Sequence, residues 1–132
     1  MSKILSLLLL FVSVDCLSST CVSRDEINDI QGSKYADLIN VEMERVDKKY
    51  SIYVSVSSNY ERLELDSIFL TFADAQMENI ELVVPLELKS SEEGMTSLFI
   101  IHEKYLDGSW LGFSYGDCGK EFYIRLRDYQ LH

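Results

Sequence analysis

"YSIYVSVS" spans residues 50–57 and alternates without a break. Tyr50, Ile52, Val54 and Val56 form one set; Ser51, Tyr53, Ser55 and Ser57 form the other. A period of two sends successive side chains to opposite faces of an extended chain, so the stretch reads as a half-buried antiparallel strand. Just before it, "LINVEMERV" (38–46) sets Ile39, Val41 and Met43 against Asn40, Glu42 and Glu44, and Asp47-Lys48-Lys49 supplies a turn. The two segments read as a hairpin.

The same period runs on toward the C-terminus. "SIFLTFA" (67–73) sets Ile68, Leu70 and Phe72 against Phe69 and Thr71. "NIELVVPLEL" (79–88) sets Ile80, Leu82, Val84, Leu86 and Leu88 against Glu81, Val83, Pro85 and Glu87. Pro85 has no N–H to give to a ladder, which points to an edge strand or a bulge. "SSEEG" (90–94) is a loop. "MTSLFIIHEKYL" (95–106) runs into Asp107-Gly108, a strong hairpin-turn signal. "SWLGFSY" (109–115) then returns with Leu111, Phe113 and Tyr115 on one face. "GDCGK" (116–120) is a further turn, and "EFYIRL" (121–126) closes the domain with Phe122, Ile124 and Leu126 inward.

About seven short strands with regular turn signals and no long helix imply an all-β fold. The expected form is an antiparallel β-sandwich, immunoglobulin-like or Greek key, with a small β-barrel as the alternative. An antibody-type Cys–Trp–Cys core does not fit, because Trp110 lies only eight residues before Cys118.

Ahead of the strands the chain changes character. Lys3 is followed by "ILSLLLLFVSV" (4–14), and Asp15, Cys16 and a Ser/Thr cluster end the apolar run. A positive residue and a short apolar run match a secretory signal peptide, assigned here to residues 1–18. The run is shorter than the roughly 20 residues a membrane-spanning helix needs. Residues 19–33 read as an N-terminal arm or a short helix, with capping-box spacing between Ser23 and Glu26. Residues 34–132 form a single β-sandwich domain.

The three cysteines separate on this reading. Cys16 sits at the cut site, where acylation is a minority alternative because Asp15 is larger and charged. Cys21 and Cys118 stay in the exported chain and are expected to pair. A bridge closing so long a loop contributes about 4–5 kcal/mol in the chain-entropy model.

Twelve Lys and Arg stand against 22 Asp and Glu, for a net charge of −10. Such a chain repels phosphate backbones and is not drawn to an anionic membrane. A basic protein partner is steered toward it.

Chemistry is sparse. Only two histidines occur, His102 on an apolar strand and His132 at the terminus. There is no P-loop, dinucleotide fingerprint, nucleophile elbow or calcium-loop spacing, and neither metal nor cofactor is expected. Glu42 with Glu44, or Glu61 with Glu64, would be the carboxylates of a small hydrolase, the weakest of the readings. Tyr53, Tyr105, Trp110 and Tyr123 fall outside the main inward sets and make a candidate contact surface. The expectation is a small, exported, acidic, non-enzymatic protein-binding domain, in the manner of inhibitors of, or immunity proteins against, basic cell-wall-degrading enzymes. The alternative is a surface or periplasmic assembly subunit that uses an exposed strand edge.

Overall fold

The computed structural model of the chain describes residues 24–26, 37–117 and 120–129. The expected signal peptide, and Cys16, Cys21 and Cys118 with it, lie outside the described residues.

Two sheets face each other as a β-sandwich. The first contains β1 (Arg24–Glu26), β4 (Asn59–Tyr60), β5 (Leu63–Ala73), β6 (Ile80–Pro85), β9 (Ser109–Tyr115) and β10 (Lys120–Arg125), in the order β1-β10-β9-β5-β4. Strand β6 pairs with the second half of β5, on the edge whose other end holds β4. The second sheet runs β2-β3-β8-β7, from β2 (Ile39–Val46), β3 (Lys49–Val56), β7 (Lys89–Ser91) and β8 (Gly94–His102). All pairings are antiparallel except β1 with β10, which is parallel. Arg24–Glu26 is thus extended, within the stretch that the sequence left open between arm and short helix.

The inner faces are those that the period of two marked. Tyr50, Ile52, Val54, Val56 and Ile101 project from the second sheet. Ile68, Leu70, Leu111, Phe113, Tyr115, Phe122 and Ile124 meet them from the first. Phe113 stacks on Phe122 with centroids 5.3 Å apart, and Tyr60 meets Phe122 edge-on at 5.2 Å. Leu106 and Leu126, each from a 3₁₀ segment, complete the core.

Two sequence expectations are corrected. Asp107-Gly108 is not a hairpin turn. Glu103–Gly108 is a 3₁₀ helix that carries the chain from β8 in one sheet to β9 in the other. Only Gly94 and Gly116 among the described glycines have positive φ, so Gly108 lacks the left-handed backbone that such a turn demands. The His102 side chain starts the 3₁₀ helix by accepting from the Lys104 N–H, and buried Leu106 anchors it. The second correction concerns residues 79–88. Strand β6 ends at Pro85, and only Val84, Leu86 and Leu88 of the marked set reach the core, while Ile80 and Leu82 stay exposed. The link 86–88 leaves the first sheet here and enters the second at β7.

One polar contact ties the sheets inside the core. The Tyr115 hydroxyl, at the end of β9, donates to the Ser57 carbonyl just after β3 at 2.8 Å. Burial pushes this phenol well above the ordinary tyrosine range. Tyr115→Phe keeps the ring among Tyr60, Phe113 and Phe122 but strands a carbonyl, and it should cost about 1–2 kcal/mol. The expected result in urea unfolding is a lower midpoint at unchanged slope.

Candidate binding surface

The four aromatic residues singled out from the sequence do not share a face. Tyr53 stands half-buried on the outer face of β3. Tyr105 is 49% exposed in the 3₁₀ helix, edge-on to Phe72 at 6.1 Å and under the Lys104 ammonium at 4.6 Å. Trp110 and Tyr123 are 0% and 5% exposed. They lie on the outer face of the first sheet, beneath a covering layer. The contact surface read from these four therefore loses Trp110 and Tyr123, which are core.

The covering layer has an identifiable construction. Gly112 lies between Trp110 and Ser114 on that face, and the Phe69 ring occupies the space above it. A Cβ on Gly112 would overlap the Phe69 ring. Phe69 then meets Tyr123 edge-on at 5.7 Å. The Arg125 guanidinium lies over the indole of Trp110 at 4.5 Å and donates to the Ala75 carbonyl. The indole N–H donates to the Asp74 carbonyl at 3.3 Å.

The loop 74–79 is itself held by one carboxylate. Asp74 accepts from Glu78 N at 2.8 Å, from Asn79 N at 3.2 Å and from Asn79 Nδ2 at 2.5 Å. Met77, in the left-handed region at φ 58°, packs against the Trp110 cluster.

The second sheet is open where the first is covered. Strand β8 pairs with β3 so that Leu98 lies opposite Tyr53 and Ile100 opposite Ser51. Opposite residues share a face, and this face of β3 is the polar one. Leu98 and Ile100 are each 68% exposed in consequence. Three cross-strand rows define the surface: Glu42–Tyr53–Leu98, Glu44–Ser51–Ile100 and Val46–Lys49–His102. An apolar strip thus runs along β8, with two glutamates on the far flank.

At the hairpin end the strip opens into a shallow groove of about 670 Å³, lined by Val46, Lys48, Lys49, Ser51, Ile100 and His102 among others. His102 Nδ1 accepts from the Lys104 N–H at 3.2 Å, which places the proton of the neutral ring on Nε2. Arg45 and Glu103 form a surface ion pair at 2.7 Å beside the groove. Glu42, Glu44, Glu61 and Glu64 are all exposed. No group of three or more His, Cys, Asp or Glu side chains among the described residues is placed to hold a metal ion.

No family model matches the chain, and no curated protein matches it. Among solved structures it is similar to a superoxide reductase from Nanoarchaeum equitans, at 12% identity and a TM-score of 0.39. That likeness spans 65% of this chain and 86% of the other.

Strand β8 has one more property. Strand β7 pairs with Gly94–Thr96 only. From Ser97 to His102 that edge has no partner strand among the described residues. The sequence placed His102 in phase with Leu98 and Ile100, but not which face the three share. The signal was the run "LFII" (98–101), apolar on both faces beside a strand, β3, that is apolar on one.

The covering loop gives a testable consequence. The hydrogen bond from the Asn79 side chain, then those from backbone N–H groups, hold the Asp74 carboxyl below its ordinary value, while partial burial opposes them. A depressed carboxylate stabilises the loop above its unfolded-state value, and that contribution fades as pH falls through the folded one. Trp110 is the single tryptophan and sits under the loop. Its emission should hold steady from neutrality to about pH 5 and shift to the red below about pH 4. Asp74→Ala should show the shifted emission already at neutral pH.

Proposed function

We propose that this chain is a small, exported, acidic protein-binding domain without catalytic activity, acting as an inhibitor of, or immunity protein against, a basic cell-wall-degrading enzyme. One observation carries the reading: Leu98 and Ile100 stand largely exposed, side by side, on a strand whose outer edge from Ser97 to His102 has no partner strand among the described residues. Apolar side chains so placed are a protein-contact signature when polar residues rim them. The net charge of −10 supports a basic partner through steering.

The test is calorimetric titration at low salt against basic muramidases, with a c-type lysozyme as the first. Binding should weaken about tenfold or more in Leu98→Asp and in Ile100→Asp. Asp66→Asn, away from the strip, should leave it unchanged. No binding by any basic muramidase at low salt overturns the reading.

Export and the disulfide belong to the same proposal. Each partner pair of the β1–β10 ladder is 97 residues apart, Arg24 with Glu121 for example, and so are Cys21 and Cys118. The parallel pairing of β1 with β10 brings together the strands that follow these two cysteines in sequence, which supports their pairing. Intact mass of protein from its native host should show the leader gone and two hydrogens missing until reduction. An added acyl mass at Cys16 would instead mark a lipoprotein. Full-length mass with free thiols would refute export and bridge together.

A second reading, an assembly subunit joined through a strand edge, draws on β6. That strand pairs with β5 on one side and exposes Ile80, Leu82 and Val83. Polymers on native electrophoresis would favour it, and a strict monomer would dismiss it.

A further inference from the structure

We infer that the Ser97–His102 edge of β8 takes up an extended basic segment of the partner as an added antiparallel strand, an inference that rests on the protein-binding reading above. Of the edges that lack a partner strand among the described residues, those of β6 and β8 lie on the same flank, because residues 86–88 join β6 directly to β7, while β1 and β2 end the sheets on the opposite flank. The β6 and β8 edges are not equivalent. The β6 edge carries Glu81 and ends in Pro85, both devices that blunt an edge. The β8 edge from Ser97 to Ile101 carries no charge, no proline and no glycine. An unguarded edge of this kind presents a row of free N–H and C=O groups, which is the template for strand addition.

The surroundings state the charge of the occupant. Between residues 78 and 93, the stretch that forms this flank, stand five glutamates and one lysine. Glu87 precedes β7, and Glu92 and Glu93 sit at the turn between β7 and β8, so they border the strip at its β7 end. Between Ser97 and His102 the outward side chains are Leu98, Ile100 and His102, of which the first two are apolar and largely exposed. A strand laid along this edge would set alternate apolar side chains beside those two and carry basic ones toward the glutamates. The six-residue edge, along which alternate residues turn their N–H and C=O outward, accommodates a segment of about six residues, a common strand length.

The probe is the blocked peptide acetyl-Lys-Val-Lys-Val-Lys-Val-Lys-amide, followed by amide chemical shifts of the full mature domain. Shifts should concentrate at Ser97–His102 and β7, and the affinity should fall as salt rises. The same peptide N-methylated at alternate residues keeps its charge and side chains but cannot form the ladder, and it should bind about tenfold or more weakly. Because the change is made in the peptide, folding of the protein does not enter. Equal binding of the methylated peptide, or shifts centred on Ile80–Pro85, overturns strand addition. If a muramidase still binds and loses affinity in Ile100→Asp, the protein-binding reading stands without it. If neither peptide nor muramidase binds, both fall. A concentration-dependent dimer that strengthens with salt, in the absence of peptide, would replace the basic segment by a second copy.

Discussion

Strand β9 is covered on both faces, and much of the molecule follows from that. Its inward residues Leu111, Phe113 and Tyr115 fill the space between the sheets. Its outward residues Trp110 and Gly112 are roofed by Phe69, Arg125 and the loop 74–79. A strand buried on both sides must be apolar or small throughout, and "SWLGFSY" (109–115) is. Gly112 is required there because a side chain would occupy the space of the Phe69 ring. Removing a ring as central as Phe113 would cost about 3–5 kcal/mol by the usual behaviour of core aromatics.

This second, smaller core has a functional consequence. It consumes the outer face of the first sheet, so Trp110 and Tyr123 stabilise the fold and are withdrawn from recognition. The outer face of the second sheet has no such roof among the described residues. There the exposed Leu98 and Ile100 sit next to Tyr53, on a strand that its neighbour β7 covers for only three residues. The asymmetry between a roofed sheet and an open one directs attention to a single surface. The short β7 matters as much as the apolar side chains, since a full-length neighbour would have paired the backbone of β8 and left only scattered exposed residues.

Charge and topology act together on that flank. The acidic residues of 78–93 border an uncharged strand edge, so long-range attraction and short-range pairing favour the same kind of occupant. Strand β6, on the same flank, is kept from pairing by Glu81 and Pro85. The Lys48–Lys49 turn and His102 at the far end of the strip break the acidic field and give the surface a direction along β8.

The sequence by itself determined the all-β class and nearly the whole core, because a period of two in "YSIYVSVS", "SWLGFSY" and "EFYIRL" is a local property of the extended chain. Ile52, Val54, Phe113, Phe122 and their neighbours were legible for that reason. Pro85 announced its edge strand through the missing N–H. Sequence could not decide which strands become neighbours. Asp107-Gly108 has the composition of a hairpin turn, yet burial of Leu106 and the passage between sheets impose a 3₁₀ helix. Trp110 and Tyr123 alternate out of the inward set, yet a loop held by Asp74 folds over them. Leu98 and Ile100 look like core residues until the pairing of β8 with β3 assigns them to the polar face. Register, edge and cover depend on contacts between residues far apart in the chain, and only the tertiary structure supplies those.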